Sequence, residues 1–172
     1  LIWIHAVSVG EAEAVFPLVK YLQTQYPSDS FLITTTTPTG SARVKAVLAD
    51  TVSHIYLPYD LPCVVSRFLK VFKPRIAIIM EKEIWPNLYA QCGSNEIPLM
   101  IINARLSANS AKGYKKIPAL VKPALAHVSW LATQTEEDRQ RFIDIGAIES
   151  LTSVEGNLKF DISIDEQIVQ QA

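Results

Sequence analysis

Residues 1–22, LIWIHAVSVGEAEAVFPLVKYL, join two patterns of different period. Residues 2–8, IWIHAVS, form a nearly continuous apolar run of strand length. From Glu11 onward Ala14, Val15, Leu18, Val19 and Leu22 share one face at 3.6-residue spacing. A strand covered on both sides has no polar alternation to display, so an apolar run that passes straight into an amphipathic helix reads as the start of a β-α-β unit. Ser8, Gly10 and Glu11 occupy the junction.

The same pairing recurs along the chain. FLITTT (31–36) precedes a helix over 41–49, with Pro38 and Gly40 expected to break the chain between them. SHIYLP (53–58) precedes a helix over 64–72, and RIAIIM (75–80) one over 84–92, with Pro86 in its first turn. PLMIIN (98–103) leads through a polar stretch to a helix near 114–126. VSWLAT (128–133) leads to a helix ending at Gly146, a glycine suited to a C-cap, and SVEG (153–156) is the last strand. Alternation of this kind predicts an α/β fold, a Rossmann-like doubly wound parallel sheet. Residues 1–161 form one domain in this reading, and 162–172 a tail or the start of a connection to another domain. A chain that begins inside a strand without an initiator Met is expected to be a piece of something longer.

Composition narrows the function classes. The chain has 172 residues, 49% hydrophobic and 19% charged, with a formal net charge of −1, which argues against a disordered segment and against a general polyanion binder. No stretch approaches the ~18 apolar residues of a spanning helix. Cys63 and Cys92 stand far apart without a partner motif and read as buried small apolar residues in a reducing compartment. His5, His54 and His127 are isolated and lack metal-ligand spacing. No GxGxxG fingerprint follows a strand, which discourages a dinucleotide-dependent oxidoreductase.

Ligands of such sheets sit beyond the carboxyl ends of the strands, and most of the unusual residues of this chain fall there. Glu11 has two readings: a first-turn acid favoured by the helix dipole, or a general base on a pocket floor behind the small residues Ser8 and Gly10. Glu81 and Glu83 follow the strand IAIIM, bracket Lys82 and adjoin Trp85, where they either cap a helix or serve proton transfer. TTTTPTGS (34–41) offers Thr37 and Ser41 as an anion or sugar cradle, or simply ends a strand; it lacks the lysine of a P-loop. NARLSANSAKGY (103–114) brings Arg105 and Lys112 into a region that is either a solvated loop or a site for phosphate or sugar hydroxyls. Lys159, in GNLKFD (156–161), either lays its stem over apolar surface or presents a fixed cation.

Taken in order, IWIHAVSVGE (2–11), ITTTTPTGS (33–41), YLPYDLP (56–62), IIMEKEIWPN (78–87), NARLSANSAKGY (103–114) and VEGNLKFD (154–161) resemble the amino-terminal half of the 3-deoxy-D-manno-octulosonic acid (Kdo) transferases. The resemblance spans Ile2 to Asp161. It implies the amino-terminal, acceptor-binding domain of a GT-B glycosyltransferase, the other half binding CMP-Kdo. The implied reaction is inverting transfer of Kdo to a lipid A precursor in lipopolysaccharide biosynthesis, at the cytoplasmic face of the inner membrane, with no metal or other cofactor in the site. It also implies roles: Glu11 as proton acceptor, with Glu81 and Lys159 stabilising the transition state. Ser8, Gly10, Thr37, Ser41, Arg105 and Lys112 are the expected substrate contacts. One departure stands out, because Lys82 occupies the place where the family pattern usually carries Thr. A noncatalytic α/β module binding a phosphorylated small molecule or a partner protein is the alternative.

Overall fold

In a computed structural model, described over residues 1–158, seven parallel strands form one sheet in the order β3-β2-β1-β4-β5-β6-β7. The strands are β1 (Ile2–His5), β2 (Phe31–Thr35), β3 (Ser53–Tyr56), β4 (Ile76–Met80), β5 (Leu99–Ala104), β6 (Trp130–Thr133) and β7 (Thr152–Val154). Between them run α1 (Val9–Gln25), α2 (Pro38–Leu48), α3 (Pro62–Phe72), α4 (Pro86–Ser94), α5 (Ala108–Tyr114), α6 (Pro118–Leu125) and α7 (Glu136–Ile145). From β1 the chain winds outward through β2 and β3. It then returns to β4 on the other side of β1 and winds the opposite way.

Strand periodicity decides which layer each side chain enters. Trp3, Leu32, Ala77, Ile79, Leu99, Ile101 and Leu131 point to one face and pack with Phe68, Leu88, Tyr89, Val121, Leu125 and Phe142 of α3, α4, α6 and α7. Ile4, Ile33, Ile78 and Met80 point to the other and meet Ala12, Val15, Phe16, Val19, Val44 and Leu48 of α1 and α2. Central strands β1 and β2 are buried at every position, whereas edge strand β3, SHIY, is partly exposed throughout. On the α1/α2 face, Ile76, Met100 and Trp130 line an apolar groove of about 490 Å³ together with Leu18 and Leu22 of α1 and Leu158.

The predicted elements exist, with shifted boundaries. Pro38 and Gly40 do not break the chain but belong to the first turn of α2: a proline at the first helical position has no hydrogen bond to lose. The single helix expected near 114–126 is two, α5 and α6, because Pro118 opens a second helix after the turn at 115–117. Pro86 opens α4 and Gly146, at φ 119°, caps α7, both as expected. Cys92 is buried and its thiol is pushed up to about 12 by burial, but Cys63 is exposed, contrary to the expectation for both cysteines. It lies in the first turn of α3, on the side turned from the sheet.

Candidate active site at the sheet reversal

Strand order reverses between β1 and β4, so the connections leaving their carboxyl ends diverge and open a crevice there. Glu11 enters it from α1. Ser8 is the N-cap, with its hydroxyl oxygen accepting from the Glu11 N–H at 3.4 Å, and Glu11 folds back in a variant of the capping box, reaching the residue before the cap rather than the cap's own N–H. Its Oε2 accepts the Val7 N–H at 2.8 Å, and its Oε1 accepts from the Ser8 hydroxyl at 3.3 Å. The side chain is 8% exposed. Burial pushes its carboxyl up to about 7; the negative charges of Glu81 and Glu83 act in the same direction, and the Val7 and Ser8 hydrogen bonds oppose the shift. Near neutrality this carboxyl is therefore able both to give and to take a proton.

Glu81 follows β4 in a left-handed backbone conformation, φ 58°, with its N–H donated to the Ile102 carbonyl at 3.0 Å. A left-handed residue turns the chain sharply, and the turn carries Glu81, Lys82 and Glu83 across the mouth of the crevice toward α4. Three side chains hold it. The Tyr89 hydroxyl donates to the Glu83 carbonyl, and the Tyr114 hydroxyl to the Lys82 carbonyl at 3.3 Å. Asp60 accepts the Asn87 and Leu88 N–H groups at 3.0 and 2.8 Å, capping α4 from the β3–α3 loop. Burial raises the Glu83 carboxyl, as does Glu81, while Lys82 pulls it down. Lys82 itself is exposed, so its charge lies on the solvent side of the acidic group.

The β2–α2 loop forms the neighbouring wall. Thr37 caps α2 by accepting the Gly40 N–H at 3.1 Å and donates its hydroxyl proton to the Val7 carbonyl at 3.3 Å. Ser41 is 5% exposed and its hydroxyl lies 3.5 Å from His54 Nδ1. Both hydroxyls thus have partners within the chain and shape the wall beside Glu11. Gly10 is exposed in the first turn of α1. His5 is fully buried below, with its Nδ1 at 3.1 Å from the Thr34 carbonyl and its pKa pushed down to about 4 by burial, so it is neutral.

Arg105 and Lys112 lie on the other side of β4, both exposed, Arg105 just beyond β5 and Lys112 on α5. Tyr114 ties that region to the Glu81–Glu83 turn. Lys159 is outside the described residues. Among those residues no group of three or more His, Cys, Asp or Glu side chains could hold a metal ion.

Two further acids, absent from the expected site, support it. Asp60 reaches α4 across 27 positions, and no local pattern signals it. Asp138 is 3% exposed and accepts the Leu106 N–H at 2.9 Å, which anchors the loop carrying Arg105. The Thr135-x-x-Asp138 spacing, a relative of the capping box, is a legible signal for it.

Comparison with known proteins agrees with this architecture. Residues 1–162 match the family model described as 3-Deoxy-D-manno-octulosonic-acid transferase (kdotransferase). The chain is 43% identical over 170 residues to the 3-deoxy-D-manno-octulosonic acid transferase of Haemophilus influenzae, covering 99% of this chain and 40% of that protein. It is 36% identical over 171 residues to the enzyme of the same name from Bordetella pertussis, covering 96% and 39%. The chain therefore spans about two fifths of the length of these relatives. Among solved structures, UDP-GlcNAc 2-epimerase from Neisseria meningitidis superposes with a TM-score of 0.63 at 14% identity, over 99% of this chain and 53% of that one. The S. aureus MnaA–UDP structure gives 0.65, also at 14%, over 99% and 50%. At that identity the likeness concerns fold alone, a Rossmann-like domain of the GT-B type. With the family model covering nearly its whole length, the chain belongs to the 3-deoxy-D-manno-octulosonic-acid transferase family.

Proposed function

We propose that this chain is the acceptor-binding half of an inverting glycosyltransferase that moves Kdo from CMP-Kdo to a lipid A precursor in lipopolysaccharide biosynthesis. In this reading the tail after residue 161 leads to a CMP-Kdo-binding half, and the whole enzyme works at the cytoplasmic face of the inner membrane. The observation that carries it is Glu11: a buried carboxyl group at the sheet reversal, with a proton affinity near neutrality and its orientation held by the Val7 N–H.

A sugar hydroxyl becomes a competent nucleophile only as its proton leaves. A carboxylate of this affinity removes that proton while the new C–O bond forms to the anomeric carbon and the bond to the CMP phosphate breaks. The departing phosphate takes the electron pair. Glu81, and Lys159 from the segment beyond the described residues, act on the charge that develops at the donor. Ser8, Gly10, Thr37 and Ser41 shape the acceptor wall, and Arg105 and Lys112 serve its phosphate groups.

One observation favours a purely structural Glu11, its place in the capping box of α1. Glu11→Gln in the full-length parent separates the two roles, because a glutamine retains an acceptor for the Val7 N–H but takes no proton. The base reading expects kcat to fall by about 10²–10⁴-fold with acceptor KM within a few fold. Retained turnover in a folded variant would refute it.

A further inference from the structure

Asn103 carries two costs at one position. It is the last residue but one of β5, in a left-handed backbone conformation, φ 51°, and 3% exposed. Its side-chain Nδ2 is buried and has no hydrogen-bond partner among the described residues. Left-handed residues other than glycine and unpaired buried donors are both unfavourable, and both collect where function holds them in place.

What this arrangement secures is a crossing of the chain. It leaves β7 at the edge of the sheet, with the Glu155 N–H donated to the Thr133 carbonyl at 2.9 Å, and turns at Gly156, φ 85°. It then passes the end of β6, and the Leu158 N–H donates to Asn103 Oδ1 at 3.1 Å, across 55 positions. An N–H only donates, so the carboxamide must present its oxygen there, and the orphaned Nδ2 is the consequence of that bond. The Leu158 side chain packs against the α1-side core, a second anchor. Gln134 holds Asn103 in turn, its Nε2 donating to the Asn103 carbonyl at 3.0 Å. Glu81 stands beside this clamp. Met80 of β4 pairs with Ile102 of β5, so Glu81 and Asn103 follow as neighbours, each left-handed. Lys159 is the residue after Leu158. One side chain thus joins the end of the strand that carries Glu81 to the segment that carries Lys159.

We propose that Asn103 is a positioning residue for glycosyl transfer: its carboxamide clamps the chain at Leu158 and so sets Lys159 beside Glu81 at the crevice. This deepens the reading of Glu81 and Lys159 as groups that stabilise the transition state, on which it rests. Asn103 acts through Lys159 and touches no reacting atom.

The test is Asn103→Gly in the full-length parent, because glycine accepts the left-handed backbone freely and removes only the clamp. Exchange of the Leu158 amide hydrogen, followed by NMR, should quicken by at least about tenfold. Asn103→Asp, which keeps an oxygen for that N–H, should retain the protection. In Asn103→Gly kcat should fall about 10–100-fold with both KM values within a few fold, since a misplacement of about 1 Å at a catalytic group costs up to about 100-fold. Lys159→Ala should lower kcat as well, and adding Asn103→Gly to it should cost no more than about twofold further, because the clamp works through that lysine. An unchanged Leu158 exchange rate, an unchanged kcat in Asn103→Gly, or losses that multiply in the double variant would each overturn the proposal. Full turnover in Lys159→Ala would sink the reading of that lysine and the positioning role with it, while quickened exchange in Asn103→Gly would still show the clamp.

Discussion

Replacing Glu11 by Gln should make the protein more stable at alkaline pH, and the size of the gain follows from its burial. The folded state holds the Glu11 proton with a pKa of about 7, against an ordinary value of 4.5. Below the ordinary value the carboxyl is protonated in both states and exerts no pH-dependent effect. As pH rises from there through 7 the unfolded chain ionises first, stability declines, and above 7 the loss is complete. At 1.36 kcal/mol per pKa unit the loss is about 3 kcal/mol. The glutamine side chain does not titrate. It keeps an acceptor for the Val7 N–H, and the bonds that favour the ionised carboxyl are already contained in its proton affinity. The variant is therefore expected to be about 3 kcal/mol more stable than the parent at pH 8 and about equally stable at pH 4, where the carboxyl is neutral in both states. Urea unfolding followed by tryptophan fluorescence at both pH values reads the difference directly. A gap between the two proteins that stays constant from pH 4 to 8 would mean that Glu11 has an ordinary proton affinity, and the base assignment would lose its physical ground.

Other expectations are more local. Asp60→Ala removes the acceptor of two α4 N–H groups and should cost about 1–2 kcal/mol in a urea titration, with Asp60→Asn retaining part of that. Lys82→Thr should raise the Glu83 carboxyl further, since Lys82 now pulls it down; carboxyl-carbon NMR titration would show this, and an unmoved Glu83 would contradict it. Gly40→Ala gains about 1 kcal/mol from helix propensity but places a Cβ 2.9 Å from the Thr37 hydroxyl, disturbing the α2 cap. Little or no net stabilisation is expected, and a full 1 kcal/mol gain in thermal unfolding would show that the cap yields freely.

Much of this molecule was legible from local pattern. Continuous apolar runs alternating with amphipathic segments dictated a parallel sheet covered on both faces, because those runs have nowhere to expose a side chain. Ser8, Thr37 and Thr135 each start a helix with a side-chain to backbone hydrogen bond, a short-range signal, although the reading of 34–41 placed the start of α2 several residues late. The junction after β1 marked Glu11 as a candidate, but both readings of it stayed open, since a capping box and a buried base share the same sequence.

Tertiary structure decided what pairwise distance along the chain conceals. Strand order sets Glu11 and Glu81 at the same crevice, and burial there, reinforced by Glu81 and Glu83, lifts the Glu11 carboxyl to about 7. Asp60 caps the start of α4 across 27 residues and Tyr114 holds the Lys82 carbonyl across 32, contacts that leave no periodic trace. The sequence alone determined the elements and their class, because hydrogen-bonding periodicity and capping are short-range. Desolvation and field depend on which elements become neighbours, so the proton affinity of the site belonged to the folded chain.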